Sequence, residues 1–429
     1  MQKISVNFSQ KWLQSFKEIL ISSASAVVFL FLDLLDALFC LFFKFIDEFF
    51  EGKGSGSRCY CFRENEEESD VTGNEQDSEL SSTLHKRRNL FRKIGFQGNV
   101  SRRKLNQNVR WSDCSCENCV SWISNNGSEL KLHVVVKEPN PANLQDFKDN
   151  KTENIVFLHG FLSSSTFWRE TIFPNLSKDA NQKYKLLAVD LLGFGKSPKP
   201  NNCLYTIKDH VEMIESSVIQ PFELNSFHIV AHSMGCVVAL ALAAKYSHSV
   251  RSITLIAPPY VTSTKEDASL TTLNRLAARR LWPPLLFGSS FMSWYEHLGR
   301  CICYIICKNH RIWEGILKLL TMNRNLHFMA IDLTRHTHNS AWHTMHNVIC
   351  GGAKLIDKYL ETLKIAKVKI NVIQGSRDQV VPLECINNVK MKVPDAEVKI
   401  VDDADHTSVI IGREKDLCND LEKLWGSIC

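Results

Sequence analysis

Small residues flank a serine at position 233. Across 229–236 the chain reads Ile-Val-Ala-His-Ser-Met-Gly-Cys, an apolar strand-like run that breaks at Ser233 and resumes as a helix-like run. A serine at such a turn has its hydroxyl lifted out of the sheet, with the backbone N–H of the next residue, Met234, facing any oxyanion formed there. Strand and helix pack closely at the turn and need small neighbours, which Ala231 and Gly235 provide as A-x-S-x-G. A serine hydroxyl is a weak nucleophile at neutral pH; it needs a base to take its proton, and the base needs an acid to fix its tautomer. A strand-like run at 368–374 delivers Gly375-Ser376-Arg377-Asp378, and the next, at 398–401, is followed by Asp402-Asp403-Ala404-Asp405-His406 and a helix-like stretch. Asp378 is the candidate acid and His406 the candidate base. Asp402, Asp403 and Asp405 are nearer to His406 but share its loop, where a capping role serves equally well. His232 adjoins the serine and is expected to point away from the chemistry as a structural residue. An oxyanion hole needs a second N–H donor besides Met234, and Phe161, after His159-Gly160, is the candidate. Gly160 lets the backbone turn there, and His159 is expected to order the loop through hydrogen bonds.

The elements that must hold these groups alternate in type. Strand-like runs at 155–158, 184–189, 227–230 and 252–256 are separated by helix-like runs at about 166–176, 206–219 and 234–246. Alternation of this kind predicts a mostly parallel sheet with right-handed crossovers and helices on its faces. Upstream, 120–123 and 130–136 read as two strands around Asn125-Asn126-Gly127. Asp190 ends a strand, and its expected role is to cap the following turn through Gly193. The stretch 258–352 departs from the rhythm, with Trp282-Pro283-Pro284, Trp294-Tyr295, an apolar run at 301–307 and helical periodicity over 313–331. It is expected to be a helical cap over the carboxyl ends of the strands, where open α/β sheets bind ligands. Its apolar content, with Phe161, Phe194 and Tyr260 as pocket candidates, points to an acyl chain or another apolar group. His336, His338, His343 and His346 are expected to form a hydrogen-bonded network, and His327 to Asp332, which spells H-x-x-x-x-D, is read as a chance match.

His-Gly-Phe at 159–161, Asp-Leu-Leu-Gly-Phe-Gly-Lys-Ser at 190–197 and Ala-His-Ser-Met-Gly at 231–235 come in an order and spacing that resemble the α/β-hydrolase fold. The likeness covers 155–259 and resumes from about 368 to the carboxyl terminus. In that fold the chain order is serine, acid, histidine, which is the order of Ser233, Asp378 and His406. More narrowly, the apolar amino terminus, the charged linker, the cysteine triplet before the first strand and the His-rich stretch 335–352 resemble the plant BODYGUARD family. These are predicted lysophospholipase-like or esterase-like hydrolases of the epidermal cell wall. The residues predict a serine hydrolase of carboxylic esters working through an acyl-enzyme; the resemblance adds lipid substrates and a part in building the cuticle. With an alcohol as acyl acceptor the same residues would join hydroxy-fatty acids, and a ligand receptor without turnover is the remaining alternative. Epoxide hydrolase and dehalogenase chemistry is disfavoured, because those relatives carry aspartate where this chain has Ser233.

With 429 residues, 44% hydrophobic and 23% charged, the chain can bury a large core. A net charge of +5 does not indicate a nucleic-acid partner. The fifteen cysteines include the triplets Cys114/Cys116/Cys119 and Cys301/Cys303/Cys307, neither with paired zinc-finger spacing. Disulfides or buried thiols are therefore expected, with no metal and no cofactor. Residues 19–50 are apolar and follow Lys3, Lys11 and Lys17, the order of a secretory signal or anchor. Asp33, Asp36, Lys44 and Asp47 interrupt the run and fall in one sector of a helix. A cleaved signal with its apolar core at 26–32, a retained anchor, an in-plane interfacial helix and a helix of the folded domain are the alternatives; the basic-then-apolar start and the many cysteines point to a secretory route to the cell wall or the outer membrane face, and to contact with a membrane surface. The expected organisation is a signal or anchor at 1–50, a disordered charged linker at 51–108, hydrolase core at 109–257, cap at 258–352 and core again at 353–429.

Overall fold

The computed structural model describes residues 2–51, 80–91, 109–123, 130–140, 152–261 and 267–427. Its centre is a seven-stranded sheet in the order β1-β3-β2-β4-β5-β6-β7. The strands are β1 (Val134–Lys137), β2 (Glu153–Leu158), β3 (Tyr184–Val189), β4 (Phe227–His232), β5 (Val250–Ile256), β6 (Lys369–Gly375) and β7 (Glu397–Val401). Only β1, at one edge, runs antiparallel to its neighbour; the other pairs are parallel, as helical crossovers require. Successive side chains of a strand point to opposite faces, and the core divides accordingly. Val156, Leu158, Ile229 and Ala231 pack in one cluster with the helix Met234–Lys245 and with Leu273 and Trp294 of the helices between β5 and β6. Ile155, Phe157 and Val230 pack on the other face with Trp168 and Trp425. Burial on both faces explains why these strands are continuous apolar runs.

Several local expectations are revised. Residues 120–123, read as a strand, belong to the helix Glu117–Ile123, while 124–129 lie outside the described residues. Tertiary contacts override the strand propensity of Val120 and Ile123: Trp122 accepts from the Lys199 backbone at 2.7 Å and lies under the Lys199 ammonium. The helix at 166 is the short Thr166–Thr171, and 313–331 is split between His310–Thr321 and Phe328–Asp332. The stretch after His406 is a series of turns, and the next helix is Glu414–Gly426.

The amino-terminal segment packs on the body of the protein. Within the helix Gln2–Glu51, residues Ser25, Phe29, Leu32, Asp33, Asp36, Cys40, Phe43 and Asp47 form a buried stripe at helical spacing. The acidic interruptions thus face the protein. Asp36 accepts from the first amides of the helix Glu296–Ile305, those of His297 and Leu298, as an N-terminal cap contributed from another helix. Asp47 makes a two-pronged pair with Arg300 at 2.7 and 2.6 Å and also accepts from Arg110 and Trp111. Lys44 alone of the four charges is exposed.

Residues 80–91 contradict the expectation that all of 51–108 is disordered. Leu84 is fully buried, Thr83 bonds His346 at 2.8 Å, and Arg87 lies over Trp342 while donating to Trp294 and Glu296. Few apolar residues are needed when the attachment is a buried arginine with satisfied donors, so low hydrophobicity alone misread this stretch.

Candidate active site

Ser233 stands between β4 and the helix Met234–Lys245 with φ 52° and ψ −122°, a conformation that L side chains rarely adopt. It is held there by its amide, which donates to Ile256 of β5 at 2.8 Å, and by the close crossing behind it. A Cβ on Gly235 would come within 2.5 Å of the His159 carbonyl and 2.8 Å of that of Leu158, which is why the motif ends in glycine. The strain is supported by the surroundings, as at other turns that expose a reactive group.

Three side chains converge from three elements. His406 Nε2 lies 2.9 Å from Ser233 Oγ, and its Nδ1 lies 2.8 Å from Asp378 Oδ2. A carboxylate facing Nδ1 places the ring proton there and leaves the Nε2 lone pair toward the serine hydroxyl. Asp378 is itself fixed by three further donors: Gln374 Nε2 on Oδ2, and the amides of Val380 and Val381 on Oδ1. The loops bearing acid and base are stitched together, since Arg377 N donates to the Ala404 carbonyl and Ser376 N to Val401. A Cβ on Gly375 would sit 2.3 Å from the Ala404 carbonyl, so the loops could not cross there with a larger residue. The rival aspartates do other things. Asp405 caps its own turn through Thr407 and Ser408, and Asp403 pairs with Arg377 at the surface.

His232 is closer to this group than the sequence suggests. Its Nε2 bonds the His406 carbonyl at 3.0 Å, and its ring stacks on Phe167 at 5.6 Å. Burial, with the nearby His406 and His159 rings adding to it, lowers its pKa to about 3, so it is a neutral strut under the His406 ring.

The loop carrying Phe161 runs against Ser233, because a Cβ on Gly160 would lie 3.3 Å from Ser233 Cβ. His159 is buried, holds the Gly160 carbonyl through Nδ1 at 2.7 Å and accepts the Leu191 amide through Nε2 at 2.9 Å. Met234 opens its helix, so its N–H has no intrahelical partner. Asp190 accepts from Ser165 N and Lys196 N, and a Cβ on Gly195 would overlap its carboxylate at 2.3 Å. The turn is therefore held through Lys196 and Gly195; Gly193 instead packs against Ser340 and Tyr205.

Two of the pocket candidates, Phe194 and Tyr260, are held in packing contacts. Phe194 is buried beneath the loop, edge-on to His159 and Phe161. The Tyr260 hydroxyl donates to Asp357, and its carbonyl accepts from Asn388, contacts that make it a packing residue between helices. The cap reaches the site through other residues. Phe328 packs on Phe167, and Ser164 donates to the buried Asp332 at 2.7 Å. Burial raises the Asp332 pKa to about 6 despite the Ser164 hydrogen bond. His327 caps the helix that Asp332 ends, so the H-x-x-x-x-D pattern marks the two ends of one helix. Gln374 and Asp332 are the residues that sequence reasoning missed; Gln374 carried no signal, whereas Asp332 lay in a pattern set aside as chance.

The cap histidines do not form one network among the described contacts. His346 turns to Thr83 and Trp342, His338 stacks on Trp342, and His336 faces Cys303 and Cys307.

Residues 153–283 match the family model described as alpha/beta hydrolase fold. The chain is 50% identical over 419 residues to the Arabidopsis thaliana protein named "Probable lysophospholipase BODYGUARD 4", covering 95% of this chain and 97% of that one. It is 45% identical to "Probable lysophospholipase BODYGUARD 5", covering 94% of each chain, and 39% identical to "Probable lysophospholipase BODYGUARD 1", covering 93% of this chain and 94% of that one, both from the same plant. With the parallel sheet, the strained serine turn and this identity along nearly the whole chain, the protein belongs to the BODYGUARD family of α/β-hydrolase-fold proteins.

Proposed function

We propose that the protein is a serine hydrolase of carboxylic esters of lipids. The observation that carries this reading is the hydrogen-bonded chain from Ser233 through His406 to Asp378, with His406 Nε2 at 2.9 Å from the hydroxyl. His406 takes the Ser233 proton as Oγ attacks the ester carbonyl, and Asp378 holds the ring tautomer and steadies the imidazolium. The amides of Met234 and Phe161 donate to the oxyanion, His406 returns its proton to the leaving alcohol, and an acyl-enzyme remains. Water activated by the same histidine then releases the acid. An alcohol in place of water would give a new ester by the same steps.

Lipid as substrate class draws on the names of the relatives, which are called probable lysophospholipases, and on the exposed apolar surface. The helix Gln2–Glu51 buries its acidic side and leaves Phe31, Leu38, Phe42, Phe45 and Phe49 exposed, the last at 82%. On the cap helix His310–Thr321, Ile312, Leu319 and Leu320 are exposed as well. Such faces suit a membrane surface. Contacts of the buried side with the cap favour a retained helix over a cleaved signal, and a secretory route to the outer membrane face or cell wall, with a role in cuticle formation, is the corresponding location.

The test is turnover by the full chain of a lysophospholipid and of a short-chain acyl ester, with and without a long-chain alcohol. Repeated release of free acid is expected. Labelling by a fluorophosphonate with no turnover of either ester would instead make the protein a receptor, and a new ester as main product would make it an acyltransferase.

A further inference from the structure

Four sulfur and nitrogen donors meet away from Ser233. Cys114 and Cys116 lie on the loop before the helix Glu117–Ile123, Cys119 on that helix, and His310 opens the cap helix His310–Thr321. Their ligand atoms all lie within 4.8 Å of one another, although His310 is 191 residues from Cys119 in the chain. We propose that Cys114, Cys116, Cys119 and His310 form a structural zinc site that clamps the segment before the sheet onto the cap.

The sulfur–nitrogen distances are those a tetrahedral ion imposes. With Zn–S of about 2.3 Å and Zn–N of about 2.0 Å, a tetrahedral S···N edge is about 3.5 Å. His310 Nε2 lies 3.5 Å from Cys116 Sγ and 3.5 Å from Cys119 Sγ. The histidine is oriented as a ligand would be: its other nitrogen, Nδ1, lies 3.2 Å from Glu314 Oε1, one turn along the same helix. A carboxylate behind the ring fixes the tautomer with Nε2 free to bind metal. The Cys116 amide points at Cys114 Sγ at 3.4 Å, as is common where a thiolate carries charge. The three thiols are unpaired in the structure, and an odd set of three cannot be closed by disulfides among themselves. Four protein ligands leave no open position, so the ion would hold structure and take no part in ester chemistry. Its effect reaches the active-site loops through the helix it secures: Trp122 of that helix accepts from Lys199 N, and Lys199 Nζ donates to Gly195 and Ser197 beside Asp190. Cys303, Cys307 and His336 form a neighbouring group with one ligand fewer, and the proposal does not depend on it.

The expectation of no metal came from judging each cysteine cluster by its own spacing. The fold supplies the fourth ligand from a distant helix, and no local pattern could contain it.

The experiment uses the full chain purified without chelator. Zinc content is measured by mass spectrometry, and cysteine reactivity is mapped by differential alkylation before and after 1,10-phenanthroline. Cys114, Cys116 and Cys119 are expected to be protected in the purified protein and to become reactive together when the chelator removes the metal. His310→Ala is expected to lower zinc by about one equivalent per chain relative to the parent. The alkylation map uses the unaltered chain, so it decides the matter even if the variant fails to fold. A disulfide involving any of the three cysteines, reactivity unchanged by the chelator, or unchanged zinc in His310→Ala would each overturn the site.

Discussion

Asp332 gives the site a pH response of its own. In the unfolded chain its carboxyl titrates near the ordinary aspartate value of about 3.8; burial against the loop at Ser164 raises this to about 6 in the folded protein. Between about pH 4 and pH 6 the folded state therefore holds a proton that the unfolded chain has lost. The group adds stability that is fully present below about pH 4 and is lost as the pH rises through about 6. Asp332→Asn cannot titrate and should abolish this component. Relative to the variant, the parent is expected to lose up to about 3 kcal/mol between pH 4 and pH 7, read from denaturant unfolding at a series of pH values. A difference between the two that does not vary with pH would contradict the assignment. That Ser233, Asp378 and His406 come together was legible because each follows a strand-like apolar run at its carboxyl end, which is where this architecture presents side chains. Asp332, Gln374 and the contact of His232 with the His406 backbone were not, because their roles depend on partners brought by folding.

The amino-terminal helix shows what periodicity can and cannot decide. The spacing of Asp33, Asp36, Lys44 and Asp47 placed all four in one sector; the three aspartates share a buried face, and Lys44 lies outside it at the surface. Nothing in a 3.6-residue period says whether that face meets water or protein. Here it meets Arg300, Arg279, Arg110 and the start of the helix Glu296–Ile305, so the acidic side lies inside together with Phe29 and Phe43, and Phe31, Phe42, Phe45, Phe49 and Phe50 lie outside. Asp47→Ala would leave the buried Arg300 guanidinium without its two-pronged partner. Loss of one partner from a buried pair typically costs about 3–5 kcal/mol. The expected result is release of the helix: sites within 16–51 become open to limited proteolysis under conditions in which the parent is resistant, while the sheet stays folded. Equal resistance of parent and variant would show that the pair does not hold the helix. The short helix Glu117–Ile123 illustrates the other direction of failure, since its sequence favours a strand and only contacts with Lys199 and its neighbours explain the helix.

At the scale of the whole molecule, the alternation of strands and helices made the parallel sheet legible, and the break in that rhythm marked the helices that follow β5. What stayed hidden was how the outlying segments join. Residues 80–91 reach the cap through Arg87 and Thr83, the helix Gln2–Glu51 through Asp36 and Asp47, and the cysteine loop through His310, over separations of roughly two hundred residues or more. These joints are polar and specific, so hydrophobic patterning gives no sign of them, and together they fasten the described amino-terminal segments onto the helices between β5 and β6. The cap also touches the loop that carries Phe161 through Ser164 and Asp332. The proposed reaction rests on one atom within this assembly, the Ser233 hydroxyl oxygen. The most direct measurement is hydrolysis of a short-chain acyl ester by the full chain and by Ser233→Ala at equal folded concentration, with peptide mapping of the fluorophosphonate adduct. The account predicts a fall in kcat/KM of at least about 1,000-fold, unchanged thermal unfolding and an adduct confined to Ser233; a Ser233→Ala protein that hydrolysed the ester at the parent rate, or an adduct on another residue, would contradict it.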